Sequence, residues 1–276
     1  MKLVRFGDPG RERPGLIDRE SRLRDLSGRL DSLDAAALAG LHDIDSSSLP
    51  VVDENVRFGV PVSGIGKIVC IGLNYADHAA EAGLERPVEP IVFFKPTTSL
   101  NGPDDPIRML RNSHHCDWEV ELAVVIGRHC HEVSEAAALD HIAGYCIAND
   151  VSERKFQAKG SGQWVLGKSG DTWCPLGPWL VTADEIADPQ DLRLTLDVNG
   201  KRMQDGTTAD MLFPVAHLVH FVSRFMSLEP GDVMLTGTPA GVGQGRRPPV
   251  YLQPGDHLRL AIDGLGEQRS EVVAAL

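Results

Sequence analysis

The sequence predicts a mixed, β-rich α+β fold, a barrel or roll of short strands with a few peripheral helices. Three observations carry this. The chain holds 28 glycines and 18 prolines in 276 residues, and they punctuate many short runs of strand-forming residues. Two strand starts are near copies, Leu228-Glu229-Pro230-Gly231-Asp232-Val233 and Leu252-Gln253-Pro254-Gly255-Asp256-His257. In both, Pro and Gly suit positions i+1 and i+2 of a type II turn. No alternating strand–helix rhythm runs along the chain.

Residues 1–60 read as a small N-terminal domain and residues 61–276 as the main one. The first holds a strand at Lys2–Phe6, a helical Ala/Leu segment around Leu33–Leu41, and a linker at Asp45-Ser46-Ser47-Ser48 and Pro50. In the second, Lys67–Gly72 and Ile91–Phe94 are apolar strands, and Ser134 caps a short helix to His141. Gly144–Ala148 is a strand ending at Asn149-Asp150. Leu192–Val198 and Lys201–Gln204 flank Asn199-Gly200, a strong hairpin signal. Asp210–Phe225 is the longest helix expected, capped by Thr207 or Thr208. Its Met211, Leu212, Val215, Leu218, Val219 and Val222 repeat at helical spacing, which is core packing.

A hydrophobic content of 42% in a chain of this length supports a sizeable core. The net charge of −12 argues against nucleic acid and anionic membranes as partners. No apolar run reaches membrane-spanning length and no signal-peptide pattern opens the chain. The five cysteines are odd in number, scattered and free of any CxxC pair, which disfavours disulfides and thiolate zinc. The expectation is a cytoplasmic protein with reduced thiols.

The most informative stretch is Asp117-Trp118-Glu119-Val120-Glu121-Leu122-Ala123-Val124. Its apolar alternation predicts a strand, so Glu119 and Glu121 share one face, about 7 Å apart. Two adjacent carboxylates repel, and a divalent cation between them would relieve that. Taken alone, the stretch also fits an ordinary strand with a solvated face. Asp150, at a strand end, is a third oxygen donor or else a turn former. Such an all-oxygen set suits Mg²⁺ first, then Mn²⁺ or Ca²⁺.

His78 and Glu81 lie three apart where a short helix follows a strand end, so they are neighbours on one face. A carboxylate beside a histidine raises its basicity, although an exposed helical pair has the same spacing. Arg154 and Gln157 follow Asp150 on a helical turn, and Lys168 lies in a glycine-rich loop. Together these could neutralise a substrate carboxylate and stabilise an oxyanion. His114 and His115 read as loop residues. The glycine-rich Gly237–Gly243 stretch has no P-loop lysine, which excludes a nucleotide cradle.

Several motifs coincide in order: Gly72-Leu73-Asn74-Tyr75 with His78 and Glu81, Phe94-Lys95-Pro96, Asp117-Trp118-Glu119-Val120-Glu121-Leu122, Asn149-Asp150-Val151-Ser152-Glu153-Arg154, Gly167-Lys168-Ser169 and Thr236-Gly237-Thr238-Pro239. With these the chain resembles the fumarylacetoacetate hydrolase family from about Lys67 to its end. Within the family it looks closest to a bacterial branch of 2,4-diketo-3-deoxy-L-rhamnonate hydrolases and proteins labelled ureidoglycolate lyase. The resemblance implies a β-barrel-like roll, a homodimer and a Mg²⁺ or Mn²⁺ site at Glu119, Glu121 and Asp150. It places an acid–base dyad at His78 and Glu81 on a lid helix, and Lys168 among the catalytic groups. Tyr75, Arg154, Gln157 and Thr238 fall at substrate contacts. Gly170 stands where many members have Phe, and Met109–His115 departs from the usual approach to the acidic strand; both bear on pocket shape.

The implied substrate is a small anionic 2-oxo or 2,4-diketo acid. His78 would take a proton from water, hydroxide would attack the 4-keto carbon, and the C3–C4 bond would break to give pyruvate and a carboxylic acid. Decarboxylation of oxaloacetate, or isomerase and hydratase chemistry of 2-oxo acids, could use the same enolate. A non-catalytic metal-binding protein is the other class; the presence of both dyad residues and Lys168 disfavours it.

Overall fold

The computed structural model describes residues 1–276 apart from 41–43, 53–55 and 160–161. A large mixed sheet runs in the order Leu23–Asp25, Arg13–Ile17, Lys2–Phe6, Cys174–Thr182, Ile142–Asn149, Val120–Ile126, Val233–Leu235, Ile68–Gly72, Ile91–Lys95. A second sheet orders Lys201–Thr207, Arg193–Val198, His257–Ile262, Gly266–Val273 and Ile107–Arg108. The β-rich class with few helices is as the sequence predicts.

The acidic strand Val120–Ile126 lies in the middle of the large sheet. It pairs antiparallel with Ile142–Asn149 on one side and Val233–Leu235 on the other. Its alternation separates two cores rather than core from solvent. Trp118, Val120, Leu122 and Val124 pack with Leu194, Leu196, Leu258 and Leu260 of the second sheet. Ala123 and Val125, on the face of the glutamates, pack with Leu3, Leu16, Leu26 and Leu33 from the N-terminal segment. The strands Lys2–Phe6 and Arg13–Ile17 extend the large sheet directly, and their leucines share a core with Ile68 and Cys70.

Local signals mostly hold. Asn199 and Gly200 have φ of 50° and 76°, the left-handed pair that a two-residue hairpin turn requires. Gly231 and Gly255 take φ of 88° and 93° after their prolines, as type II turns demand. Asp34 caps the helix Ala35–Gly40 through the Ala36 and Ala37 amides; Leu41 of the expected segment lies outside the described residues. The expected linker contains a 3₁₀ turn, Ser46–Ser48, capped by Asp45.

Two helices differ from expectation. The long helix is Val215–Ser223 only, beginning after Pro214. Proline pushes its predecessor Phe213 out of the helical region, so residues 210–213 cannot join. Thr207 instead caps a 3₁₀ turn at Thr208–Asp210. The segment Glu135–His141 is also 3₁₀, with Ser134 at its N-cap position but no side-chain cap bond.

Candidate active site

Strand pairing assembles the carboxylates. Val120 lies opposite Asn149 in the ladder, so Glu119 and Asp150 flank the same end of the pair. The Asp150 amide donates to the Glu119 carbonyl at 3.0 Å. Glu121, one pleat along, points the same way as Glu119. Oxygens of Glu119, Glu121 and Asp150 lie within 4.8 Å of one another, and all three side chains are buried.

Three buried cations surround this cluster. Lys168 Nζ lies 2.7 Å from both Glu119 Oε2 and Asp150 Oδ2. Lys95 Nζ is 2.7 Å from Asp150 Oδ1 and also donates to the Val151 carbonyl. Arg154 Nη1 is 2.6 Å from Glu119 Oε1, and its Nε donates to Asp117 at 2.8 Å. Glu121 differs. Its side chain accepts from the Gly237 amide at 2.7 Å, and no cation among the described residues pairs with it.

The electrostatics follow this asymmetry. Burial pushes the Glu119 carboxyl up, but Lys168, Arg154 and His78 together hold it down at about 2. Burial, then Asp150 and Glu119, push Glu121 well above the usual carboxylate range. Burial alone would lower the Lys168 ammonium, yet Asp150 and Glu119 raise it above its ordinary value. The two carboxylates thus favour the charged form of Lys168 in this arrangement. Four buried carboxylates, counting Asp117, face three cations. A hard divalent cation fits the oxygen-only donor set and would relieve the repulsion that Asp150 and Glu119 exert on Glu121.

The dyad arrives from the other side. Ile68–Gly72 ends at Leu73, which takes the left-handed φ of 53°. Asn74 locks this turn, donating to the Phe213 and Thr236 carbonyls and accepting from the Phe213 amide. The helix Ala76–Glu81 follows, with His78 Nδ1 3.6 Å from Glu81 Oε2. Burial raises the Glu81 carboxyl, but His78 and the Gly241 amide more than offset this and hold it below its usual range. Glu81 is thus a carboxylate placed to stabilise a protonated His78, its Oε2 just beyond hydrogen-bond distance of Nδ1. Ala79 and Tyr75 are wholly buried and anchor the helix.

A small inner chamber of about 40 Å³ is lined by His78, Glu119, Glu121, Arg154, Lys168 and Thr238 among others. Beside it, an outer chamber of about 230 Å³ shares His78, Arg154, Gln157 and Trp164 and adds Glu81, Leu84 and Val242. Glu119, Glu121, the His78–Glu81 pair and the donors therefore converge on one cleft, with Asp150 behind its wall, paired to Lys168.

The family model described as fumarylacetoacetate (FAA) hydrolase C-terminal matches residues 67–273. The chain belongs to the fumarylacetoacetate hydrolase family. It is an enzyme of that family, a hydrolase. It is 54% identical over 273 residues to a 2,4-didehydro-3-deoxy-L-rhamnonate hydrolase of Sphingomonas sp. (strain SKA58), covering 99% of this chain and 96% of that protein. A fumarylacetoacetate hydrolase from Exiguobacterium antarcticum superposes with a TM-score of 0.90 at 39% identity, covering 99% of each chain. A maleylpyruvate hydrolase from Sphingobium sp. SYK-6, solved with manganese(II) and pyruvate, gives 0.82 at 28% identity over the full length of both chains.

Gln157 lines both chambers, and Arg154 Nη1 donates to its Oε1 at 3.1 Å. Thr238 lines the inner chamber, but its hydroxyl already donates to the Val120 carbonyl and accepts from Gln204. Tyr75 is wholly buried, outside both linings, with its hydroxyl unpartnered. Gly170 also lies off the cavity wall. A Cβ there would sit 2.3 Å from the Trp173 ring, so this departure from the family concerns Trp173 packing. His115 packs on Tyr251 beside Glu153, away from the cleft.

Sequence reasoning left three features unassigned. Lys95 was legible as a lysine closing an apolar strand in Phe94-Lys95-Pro96. Trp164 carried no signal. The glycine-rich loop does bind anions, but the protein's own: its amides at Gly237, Gly241 and Gly243 donate to Glu121, Glu81 and Asp117.

Proposed function

We propose that this protein is a Mg²⁺- or Mn²⁺-dependent hydrolase that cleaves the C3–C4 bond of a sugar-derived 2,4-diketo acid. The products are pyruvate and a carboxylic acid. The reading is carried by one observation: a buried three-carboxylate cluster whose two glutamates line a cleft shared with a His–Glu pair. The likeness to the Sphingomonas enzyme supports the sugar-derived substrate. The manganese and pyruvate of the Sphingobium structure support the metal and the product class.

Glu119, Glu121 and Asp150 would hold the cation. When bound, it would polarise the 2-keto oxygen of the substrate as a Lewis acid. His78 takes a proton from water, with Glu81 stabilising the imidazolium. The hydroxide adds to the 4-keto carbon. Arg154 has a buried, unpartnered Nη2 in this cleft, and with Lys168 and the Gln157 amide it faces the developing oxyanion. The C3–C4 bond then breaks with its electron pair going to C3. Protonation there, by His78, completes pyruvate. Leu84, Val242 and Trp164 of the outer chamber face the acyl portion.

The test compares kcat/KM for a 2,4-diketo sugar acid with that for oxaloacetate, with metal and with excess chelator. The diketo acid should be preferred and chelation should abolish turnover. A tenfold preference for oxaloacetate, about 1.4 kcal/mol in the transition state, would replace this reading with decarboxylation.

A further inference from the structure

Asp117 is wholly buried and uses both carboxylate oxygens twice. Oδ1 accepts from the Trp118 amide at 2.8 Å and the Gly243 amide at 2.6 Å. Oδ2 accepts from the Gln244 amide at 2.9 Å and Arg154 Nε at 2.8 Å. It is therefore a hub between two parts of the site that do not touch each other in sequence. On one side, Arg154 passes its remaining bonds to Glu119 and Gln157. On the other, the loop pinned at Gly243 and Gln244 holds Glu81, through the Gly241 amide 3.0 Å from its Oε2. The loop is also closed from above, since Trp118 Nε1 donates to the Gly241 carbonyl at 3.1 Å.

Space around the loop is as tight as its bonding. A Cβ on Gly245 would lie 2.2 Å from the Glu81 carboxyl carbon, and one on Gly243 would lie 1.9 Å from the Val250 carbonyl. A loop this close to Glu81 cannot shift without moving it. Asp117 lines neither chamber of the cleft, so it bears on the site through Arg154 and the loop.

We infer that Asp117 is a positioning residue: it fixes the Gly241–Gly245 loop, and through it Glu81 of the dyad, in register with Arg154 and the carboxylate cluster. The inference rests on the proposed hydrolase reading for its catalytic consequence, but not for its structural one. Asp117→Asn is the direct test, because the amide nitrogen cannot accept from Gln244 or Arg154. Hydrogen exchange should rise in residues 241–250 and 76–84 and stay unchanged in Val120–Ile126 and Val215–Ser223. In turnover of a 2,4-diketo acid, kcat should fall on the order of 100-fold, the scale of a misplaced catalytic group, with KM little changed. In a Glu81→Gln background the same substitution should cost clearly less than in the wild type, leaving only the part that acts through Arg154.

Unchanged exchange in both segments overturns the inference whatever the kinetics show. Full additivity with Glu81→Gln overturns it too, leaving Asp117 a purely structural residue. A wild-type enzyme inactive on every 2,4-diketo acid tried sinks the functional reading, and the exchange result then decides this inference alone. Should Asp117→Asn not accumulate, Asp117→Glu displaces the charge by one methylene and carries the same expectations.

Discussion

The two glutamates of the acidic strand look interchangeable in sequence and are opposite in energetics. Glu119 is the shared partner of Lys168 and Arg154. Removing its charge leaves Lys168 with Asp150 alone and Arg154 with Asp117 alone, a loss of roughly 1.5–3 kcal/mol, the scale of a hydrogen bond to a charged group. Glu121 has the Gly237 amide and no cation among the described residues, and Asp150 and Glu119 repel it. Denaturation in chelator should therefore find Glu119→Gln clearly destabilised and Glu121→Gln unchanged or more stable. Both should lose stabilisation by Mn²⁺. Equal destabilisation in chelator would mean that Glu121 has a counter-charge after all. In sequence Glu119 also fits a solvated strand face; its burial between Lys168 and Arg154 excludes that.

The helix Ala76–Glu81 spans less than two turns and would not persist alone. Tyr75 and Ala79 bury one side of it, and the Gly237–Gly243 loop grips Glu81 and Asp77. His78 and Glu81 are thus delivered as one unit. His78→Ala and Glu81→Ala should each lower turnover strongly, and the double variant should be little worse than the worse single one. Additive losses would show that they act separately.

A second element is tied by charge. Glu12, next to the strand Arg13–Ile17, pairs with Arg5 and Arg57, and Arg57 pairs with Asp105. Burial pushes the Glu12 carboxyl up, while the Arg57 hydrogen bond and the Arg5 charge bring it net below its ordinary value. A depressed carboxylate contributes stability above its unfolded-state value and loses it as pH falls through the folded one. Glu12→Gln should thus lower the Tm at neutral pH, and the two proteins should converge as pH falls below about 4. A constant difference across that range would assign the effect to packing instead.

At the scale of the molecule, metal and fold are linked. A cation that binds only the folded carboxylate cluster stabilises by mass action, about 2.7 kcal/mol at a hundred times its Kd. For a chain of this size that is a rise in Tm of roughly 5 to 10 °C. Mg²⁺ or Mn²⁺ should produce it in the wild type and chelator should remove it. No shift with either ion would contradict the proposed metal site. No helix of the described residues is long and apolar enough to cross a membrane.

Local and pattern-borne features were legible in the sequence. Strand alternation put Glu119 and Glu121 on one face, because a pleat repeats every two residues whatever surrounds it. Asn199-Gly200 and the two Pro-Gly turns were legible because φ preference is a property of the residue. The spacing of His78 and Glu81 survived because helix geometry is local. Pro214 could have ended the long helix on sequence grounds, and there the apolar periodicity outweighed it. What only the tertiary structure decided was who neutralises whom. The pairing of Lys95, Lys168 and Arg154 with particular carboxylates spans 18 to 55 residues of chain. Glu121, without a cation among the described residues, takes its hydrogen bond from Gly237, 116 residues away. Coulomb energy in a buried site depends on distance and solvent exclusion, and neither exists until strands far apart in sequence have packed.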